Sequence, residues 1–479
     1  MSVQEYLDKY LVSRKIEDAV NAAVRAKASD PILFIANHMK RAVSPVITKI
    51  KARQILDSRG IPTIEVDLFT NKGSYRASVP SADVSLAASV AIHEALELRD
   101  RDNAKYFGNG VSKAVAIIND KISEALIGMD PKQQSQIDQA MIDLDKTDNK
   151  SALGANAILA VSIAACKAGA AEKEVSLYKH IADLSGKTNA VIPVPAITVI
   201  SGGKHAGNNL AVQEIMIMPL GASNFEDAMQ MGVETYHHLK AIISEKHGPT
   251  GCNVGNDGGL APNISSISEG LDLVIEAIDR ASYNGRIKLA LNVAATNFCF
   301  GKKYDMNFKS PDKSGQHFKT GQEMIEMYTK LCTDYPIVSI TQPFDKDDWE
   351  NTKVFTALEH CQVVGDDLLM SNPKRVERAT NEFTCNALLL KVNQVGTVTE
   401  AIEVVKQAKD TNWGVVVSHR SGETNDSFIS DFAVGIGAGQ IKAGAPYCGE
   451  HISKYNQLLR IEEELGSGAV YAGETWRSP

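Results

Sequence analysis

The chain lacks the cysteine pattern of disulfide-rich and zinc-binding proteins, and it lacks the basic charge of nucleic-acid-binding proteins. Its seven cysteines are scattered and include no CxxC pair, which argues against a disulfide framework or a zinc site and favours a reducing compartment. Lysine and arginine total 50 against 58 acidic residues, for a formal charge of -8. Because the excess is acidic, we predict that nucleic acid is not a main partner.

Hydrophobic runs long enough to cross a membrane are also missing. The start, MSVQEYLDKYLVSRK, has no apolar h-region, and the least polar stretch, GANAILAVSIAAC, is short and typical of a buried helix. The chain has 479 residues, of which 44% are hydrophobic and 23% charged, as in soluble globular proteins of two or three domains. We therefore predict a cytoplasmic protein without a membrane partner.

Residues 1–45 form a first unit with helical periodicity. Ile16, Val20 and Val24 recur at helical spacing, and Asp30-Pro31 has the pattern of a helix cap followed by a first turn. The unit resembles the docking and dimerisation helix pair of cAMP-dependent kinase regulatory subunits, which implies a helical docking partner. A helical extension packed on its own domain fits the pattern equally well, and both alternatives stay open.

Residues 46–190 are predicted to form a small α+β domain. Three runs with strand character, VITKIKARQIL, TIEVDLFT and SYRASVP, are separated by turn sequences and indicate an antiparallel meander. Helical periodicity follows in SKAVAIINDKISEALIG, in PKQQSQIDQAMIDLD and in the Ala-rich segment 153–172. The order of elements predicts a sheet covered by helices.

Residues 191–479 are predicted to form a parallel β/α barrel. Short apolar runs recur, most of the later ones alternating with amphipathic helices: VPAITVI, QEIMIMP, IKLALNVAA, IVSITQPF, QVVGDDLL, ALLLKVN, GVVVSHR and QIKAG. An open doubly wound sheet would also alternate in this way. Because no glycine-rich dinucleotide loop follows the first strand, the barrel is favoured.

Polar side chains cluster where the barrel strands are predicted to end. Barrel geometry points such residues into one mouth, and two glycine-containing turns add His205 and Asp257. Lysines, an arginine, histidines and acids together suit an anionic substrate and proton abstraction next to a carboxylate. The strand-end positions are Glu214, Asn292, Thr341, Asp366, Lys391, His419, Arg420, Ser421 and Lys442.

Several of these motifs resemble those of one family. The stretches SGGKHAGN, QEIMIMP, GDDL, LLLKVNQVGTVTEA, SHRSGET, IKAGAP and KYNQLLRIEEELG are similar to enolase, phosphopyruvate hydratase, over roughly residues 48–470. The layout with an N-terminal extension looks most like the divergent cytosolic enolases of plants. The resemblance implies an α+β capping domain on a β/α barrel, a glycolytic lyase and a homodimer.

The resemblance also implies a role for each matched position. Lys391 would remove the α-proton of 2-phosphoglycerate, and Lys442 would lower the pKa of Lys391 and hold the substrate carboxylate. Asp257, one methylene shorter than the family's glutamate, would be the leaving-group acid. The phosphate would be held by Arg420 and Ser421, and the leaving hydroxyl would be surrounded by His205, Glu214 and His419.

The chain departs from the family at the metal site. The positions of the family's three metal-binding carboxylates read Asn292, Thr341 and Asp366, so one charge remains of three. With an effective dielectric of about 20, each charge removed at about 4 Å forfeits roughly 4 kcal/mol per unit of cation charge before solvation offsets it. We therefore predict that Mg²⁺, the cofactor that the resemblance implies, binds weakly.

The segment that corresponds to the family's lid differs as well. SADVSLAASVA replaces a short glycine-containing loop, so the lid serine could be Ser81, Ser85 or Ser89. Gln342 stands where the family has an aspartate, and His451 where it usually has an arginine.

Two functions follow from this pattern. The first is the reversible dehydration of 2-phosphoglycerate to phosphoenolpyruvate at a magnesium site that is remodelled and weakened. The second is a non-catalytic scaffold or binding protein that keeps the fold and docks or dimerises through residues 1–45. Sequence errors at the altered positions are a third explanation of the pattern.

Overall fold

The N-terminal extension consists of three short helices. A computed structural model describes residues 2–82, 93–311 and 317–479. The three helices are α1 (Val3–Lys9), α2 (Val12–Ala26) and α3 (Pro31–Arg41). Asp30 caps α3 as predicted, because its carboxylate accepts a hydrogen bond from the Leu33 backbone N–H at 3.0 Å. The additional break falls at Leu11, whose φ is 51°.

The capping domain opens with the predicted antiparallel meander. Its strands are β1 (Ile47–Leu56), β2 (Pro62–Thr70) and β3 (Ser74–Ser78), paired in the order β1-β2-β3. The helices that follow are α4 (Ser112–Ile117), α5 (Ser123–Leu126), α6 (Gln134–Asp145), α7 (Ala155–Glu172) and α8 (Leu177–Ser185).

Helix α7 is the core helix of this domain. Its length and composition would suffice to cross a membrane, yet 83% of it is buried inside the protein. It packs on β2 and β3, so the apolar Ala-rich sequence faces other elements rather than solvent. The prediction of a buried helix at this segment is confirmed.

The second domain is a barrel whose strands form one sheet. Its strands are β4 (Val194–Pro195), β5 (Ile197–Ser201), β6 (Glu214–Met218), β7 (Lys288–Asn292), β11 (Ile337–Thr341), β12 (Gln362–Gly365), β13 (Ala387–Leu390), β14 (Gly414–Ser418) and β15 (Gly439–Lys442). The strand order is β4-β15-β14-β13-β12-β11-β7-β6-β5, and β4 runs into β5 across Ala196, which closes the sheet. A small antiparallel sheet of β8 (Cys299–Phe300), β9 (Lys303–Asp305) and β10 (Phe318–Thr320) lies outside it.

The predicted barrel is confirmed, but the expectation that its strands all run parallel was wrong at β6. This strand pairs antiparallel with both β5 and β7. The reason is the connection between β5 and β6, which is a loop without a crossover α-helix, and a parallel pair would need such a crossover. The remaining neighbours are parallel.

Helices surround the barrel and separate the later strands. They are α9 (Phe225–His247), α10 (Ile267–Arg280), α11 (Gly321–Asp334), α12 (Trp349–Ala357), α13 (Pro373–Glu382), α14 (Val392–Val395), α15 (Val398–Lys409), α16 (Phe428–Gly435) and α17 (Gly449–Leu465). The capping domain touches the barrel loops through hydrogen bonds such as Ser81 N–H to the Gly422 carbonyl, 3.0 Å. The predicted domain limits at 45/46 and 190/191 stay predictions.

Candidate active site

Strand register brings the predicted residues to one end of the barrel. Asn292 lies opposite Thr341 on one side and opposite Glu214 on the other, and Ser418 lies opposite Lys442. This end of the barrel holds a polar cavity at the carboxyl ends of the parallel strands, where barrel enzymes bind substrate. The predicted residues among its lining are His205, Asp257, Asn292, Asp366, Lys391, His419, Arg420, Ser421 and Lys442.

Two predicted residues are buried in the barrel wall and are not among the described residues that line the cavity. Glu214 is fully buried, and Thr341 is 5% exposed. Glu214 still acts on the cavity through its partners, whereas Thr341 contributes a hydroxyl group to the wall. Of the proposed lid serines, Ser85 and Ser89 lie outside the described residues.

Lys391 is paired with Asp366, the carboxylate that the sequence predicts at the metal position. Its ammonium nitrogen lies 2.5 Å from Asp366 Oδ1. Lys391 follows β13 and Asp366 follows β12, so neighbouring strand ends place the two groups together. The ion pair neutralises Asp366 and fixes the lysine side chain over the cavity.

Lys442 is held by Glu214 in a buried hydrogen-bonded group. Lys442 Nζ lies 2.7 Å from Glu214 Oε2; the same oxygen accepts from Asn292 Nδ2 at 2.6 Å, and Thr198 donates to Oε1 at 2.8 Å. Burial works against the charge of Lys442, but the Glu214 carboxylate outweighs it and raises the pKa of this lysine. Lys442 is therefore a permanent cation.

Asp257 bridges two histidines across the cavity. Its Oδ2 lies 2.6 Å from His205 Nδ1, and its Oδ1 lies 3.0 Å from His419 Nε2. The other ring nitrogen of His419 faces the Lys442 carbonyl oxygen at 2.9 Å. Both ring nitrogens of His419 thus face oxygen atoms.

The bridge determines where the proton lies. Burial opposes ionisation of Asp257, but the two imidazoles hold the pKa of its carboxyl well below the usual range. Burial likewise opposes the charge of His205, and Asp257 outweighs it and raises the pKa of that imidazole. These two shifts favour an anionic Asp257 next to a protonated His205.

Three polar atoms of residues that line the cavity are buried without a hydrogen-bond partner among the described residues. They are Asn292 Oδ1, Asn297 Oδ1 and Arg420 Nη1. Since unpaired buried polar atoms are costly, each marks a place for a ligand atom. The guanidinium nitrogen suits an anion, and the two amide oxygens suit a cation or a hydrogen-bond donor.

Two residues of the cavity have side chains that fit a magnesium ion, the metal expected from the sequence. Asp366 and the free Asn292 oxygen are hard oxygen ligands of the kind that Mg²⁺ accepts while it keeps several waters. Asp367 lines the same cavity, and burial together with the Asp366 charge raises its pKa to about 6. Little negative charge is therefore available to a bound cation, because Asp366 is already paired with Lys391.

Gln342 has a positioning role that was not recognised from the sequence. Its Oε1 accepts from the backbone N–H groups of Asp366 and Leu368, at 3.1 and 3.0 Å, and its Nε2 donates to the Phe344 carbonyl at 2.8 Å. The residue has a φ of 49°. The sequence indicated only that Gln342 stands in place of an aspartate. In the structure, Gln342 orients the loop that carries Asp366.

Ser81 and His451 also have partners that the sequence did not reveal. Ser81 is buried and donates to Asp57 Oδ2 at 2.5 Å while it accepts from Arg59 Nη2 at 2.9 Å. The ring of His451 packs edge-on against His419, with centroids 5.3 Å apart, and burial lowers the pKa of His451. Ser81 is thus held by other side chains of the capping domain, and His451 supports the histidine bridge.

Comparison with known proteins gives two concordant results. Residues 47–181 match the sequence model described as the N-terminal domain of enolase, and residues 189–479 match that of its C-terminal TIM barrel domain. The chain is 72% identical over 477 residues to the protein named cytosolic enolase 3 of Arabidopsis thaliana, an alignment that covers 100% of this chain and 99% of that relative.

Proposed function

Because this chain belongs to the enolase family, we propose that it catalyses the reversible dehydration of 2-phosphoglycerate to phosphoenolpyruvate. The observation that carries the proposal is the composition of the cavity: two lysines, a histidine–aspartate–histidine bridge and an unpartnered arginine nitrogen converge there. A phosphorylated hydroxy acid complements this set, since it offers a phosphate, a carboxylate and a hydroxyl that can leave.

Proton abstraction is assigned to Lys391. The base must be neutral when it removes the α-proton, and the 2.5 Å contact between Lys391 and Asp366 has to open as substrate binds. Lys442 stays protonated beside Glu214 and binds the substrate carboxylate. A fixed positive charge at that carboxylate stabilises the ene-diolate that forms when the proton leaves.

Departure of the hydroxyl is assigned to the histidine bridge. Asp257 is an anion here, so it supports the step by keeping His205 protonated rather than by donating its own proton. The charged His205 then transfers a proton to the leaving hydroxyl, while His419 holds the other oxygen of Asp257. Arg420 and Ser421 hold the phosphate in place.

Magnesium, when bound by Asp366 and Asn292, would neutralise negative charge on the carboxylate of the substrate. With one charged ligand of three, the chain is expected to need millimolar rather than micromolar magnesium for turnover. This is the feature that separates it from an enolase with a complete site.

The test is formation of phosphoenolpyruvate, followed by its ultraviolet absorbance at rising magnesium. Saturation only at high magnesium supports the proposal. Saturation at low magnesium would show that the magnesium site is not weakened. If no product forms at any magnesium concentration, the result supports the alternative function, a non-catalytic scaffold with the enolase fold. An Arg420→Gln variant, which removes the phosphate contact, controls for a contaminating enolase in the preparation.

The same relationship supports a cytoplasmic location. The relative at 72% identity is named a cytosolic enolase, and the free thiols of this chain fit a reducing compartment. We propose that the body of the protein pairs with a second copy through barrel and meander surfaces. Sedimentation of the purified chain measures this state directly.

A further inference from the structure

Three potential metal ligands meet at the start of helix α17, outside the set of residues assigned to the proposed reaction. Ligand atoms of Cys448, Glu450 and His451, namely a sulfur, a carboxylate oxygen and a ring nitrogen, lie within 4.8 Å of one another. Among the described residues, no other group of three histidine, cysteine or acidic side chains meets this limit. Since zinc–ligand bonds are about 2.0–2.3 Å long, the three atoms are close enough to bind one ion.

The ring of His451 is held in the form that binds a metal. Its Nδ1 lies 3.0 Å from the Tyr447 carbonyl oxygen, so Nδ1 carries the proton of the neutral ring and Nε2 carries the lone pair. Burial lowers the pKa of His451, which favours this neutral form. A backbone carbonyl at the opposite nitrogen is the usual partner of a metal-binding histidine, because it fixes the tautomer and the orientation of the ring.

The other two side chains supply the negative charge that a cation needs. Cys448 and Glu450 are both partly exposed, so an ion can reach them from solvent. Burial and the Glu450 charge raise the pKa of the Cys448 thiol; the thiol is therefore protonated before binding, and the metal replaces that proton. Thiolate and carboxylate then carry two negative charges, which exceed the positive charge of about one half at the N-terminus of α17.

We propose that Cys448, Glu450 and His451 bind zinc or another divalent ion that accepts sulfur, with a fourth position open to water. A set of sulfur, nitrogen and oxygen ligands suits zinc, whereas magnesium takes oxygen ligands. Such a site needs no CxxC pair, so the cysteine spacing, which argued against zinc, did not reveal it. The His451 ring contacts His419, with centroids 5.3 Å apart, so the ion would lie beside the proposed active site without sharing its ligands.

The test titrates the reduced full chain with cobalt(II), which occupies zinc sites and gives a near-ultraviolet charge-transfer band when a thiolate binds it. We expect the parent to give a band that saturates at one cobalt per chain and Cys448→Ser to remove it. Zinc should abolish the band by displacing cobalt, whereas millimolar magnesium, which fills oxygen sites such as that of Asp366, should leave it in place. No saturable band in the parent, or the same band in Cys448→Ser, would overturn the proposal.

Two further variants test the ligand set. Cys299→Ser is the matched control, because Cys299 is also partly exposed and has the acidic neighbours Asp345 and Asp348; this variant should keep the band. His451→Gln keeps a donor for the Tyr447 carbonyl but has no imidazole lone pair, so it should raise the dissociation constant for cobalt at least tenfold. Loss of the band in Cys299→Ser, or unchanged affinity in His451→Gln, would contradict this site. Neither result depends on whether the barrel turns over substrate.

Discussion

The side chain of Gln342 accepts a hydrogen bond from the backbone N–H of Asp366 at 3.1 Å, and a second one from Leu368 at 3.0 Å. These two hydrogen bonds join the end of β11 to the loop that follows the next strand, β12. Asp366 in turn contacts Lys391, so a neutral amide controls the position of the proposed base through one intermediate residue.

Gln342→Met should therefore disturb both stability and activity. The substitution keeps volume but leaves two buried N–H groups without an acceptor, at a cost of about 1–3 kcal/mol each when no relaxation occurs. We expect a lower melting temperature and at least a tenfold lower kcat. Gln342→Glu keeps an acceptor at the same place and is the matched control; equal losses in both variants would argue against the acceptor role.

Restoring the missing carboxylates should strengthen the magnesium site. The double variant Asn292→Asp, Thr341→Glu returns two charges to neighbouring strand ends. We expect the magnesium concentration for half-maximal turnover to fall at least a hundredfold, because each charge offers several kcal/mol of attraction before solvation is subtracted. Calorimetric titration of magnesium measures binding apart from turnover. Tighter binding without faster turnover would locate the defect in the lid or in Asp257.

The histidine bridge predicts a pH effect for Asp257→Asn. Asp257 raises the pKa of His205, so the parent keeps this imidazole protonated to higher pH than an isolated histidine. Without the carboxylate the pKa of His205 falls, and the proton donor is lost at lower pH. We expect a loss of about 10²–10⁴ in kcat and a pH limit displaced downwards. An unchanged His205 titration by NMR would contradict the bridge.

The amphipathic patterns predicted the meander, the core helix and the barrel because each depends on local periodicity. The direction of β6 was not predictable in this way, since apolar runs of parallel and antiparallel strands look alike when both faces are buried. The positions of Asn292 and Thr341 at strand ends could be predicted from the sequence, but their hydrogen-bond partners could not. The amide nitrogen of Asn292 donates to Glu214, and its oxygen has no hydrogen-bond partner among the described residues.

Gln342 and Asp257 show what sequence reasoning could not reach. The role of Gln342 depends on a positive φ and on backbone groups 24 and 26 positions away, neither of which leaves a local signal. Asp257 was predicted to donate a proton, whereas its contacts to His205 and His419 favour its charged form. Such assignments require the distances between residues far apart in the chain.

A buried acid outside the cavity predicts how stability depends on pH. Asp431 on α16 is 4% exposed and accepts from Gln457 Nε2 at 3.0 Å. Burial raises the pKa of this carboxyl to about 7, above its value of 3.8 in the unfolded chain. The folded state therefore binds more protons than the unfolded state between about pH 4 and pH 7, and stability falls as pH rises through this window.

Asp431→Asn removes the charge while it keeps an acceptor for Gln457. The variant should match the parent near pH 4 and become more stable than the parent as pH rises, with a gain of up to about 4 kcal/mol above pH 7. Asp143→Asn is the matched control, because exposed Asp143 accepts the same kind of bond from Gln139 at 2.8 Å. Denaturant unfolding at pH 4, 6 and 8 measures the difference. An equal gain at the three pH values would show that Asp431 is ionised over this whole pH range and that burial does not raise the pKa of its carboxyl.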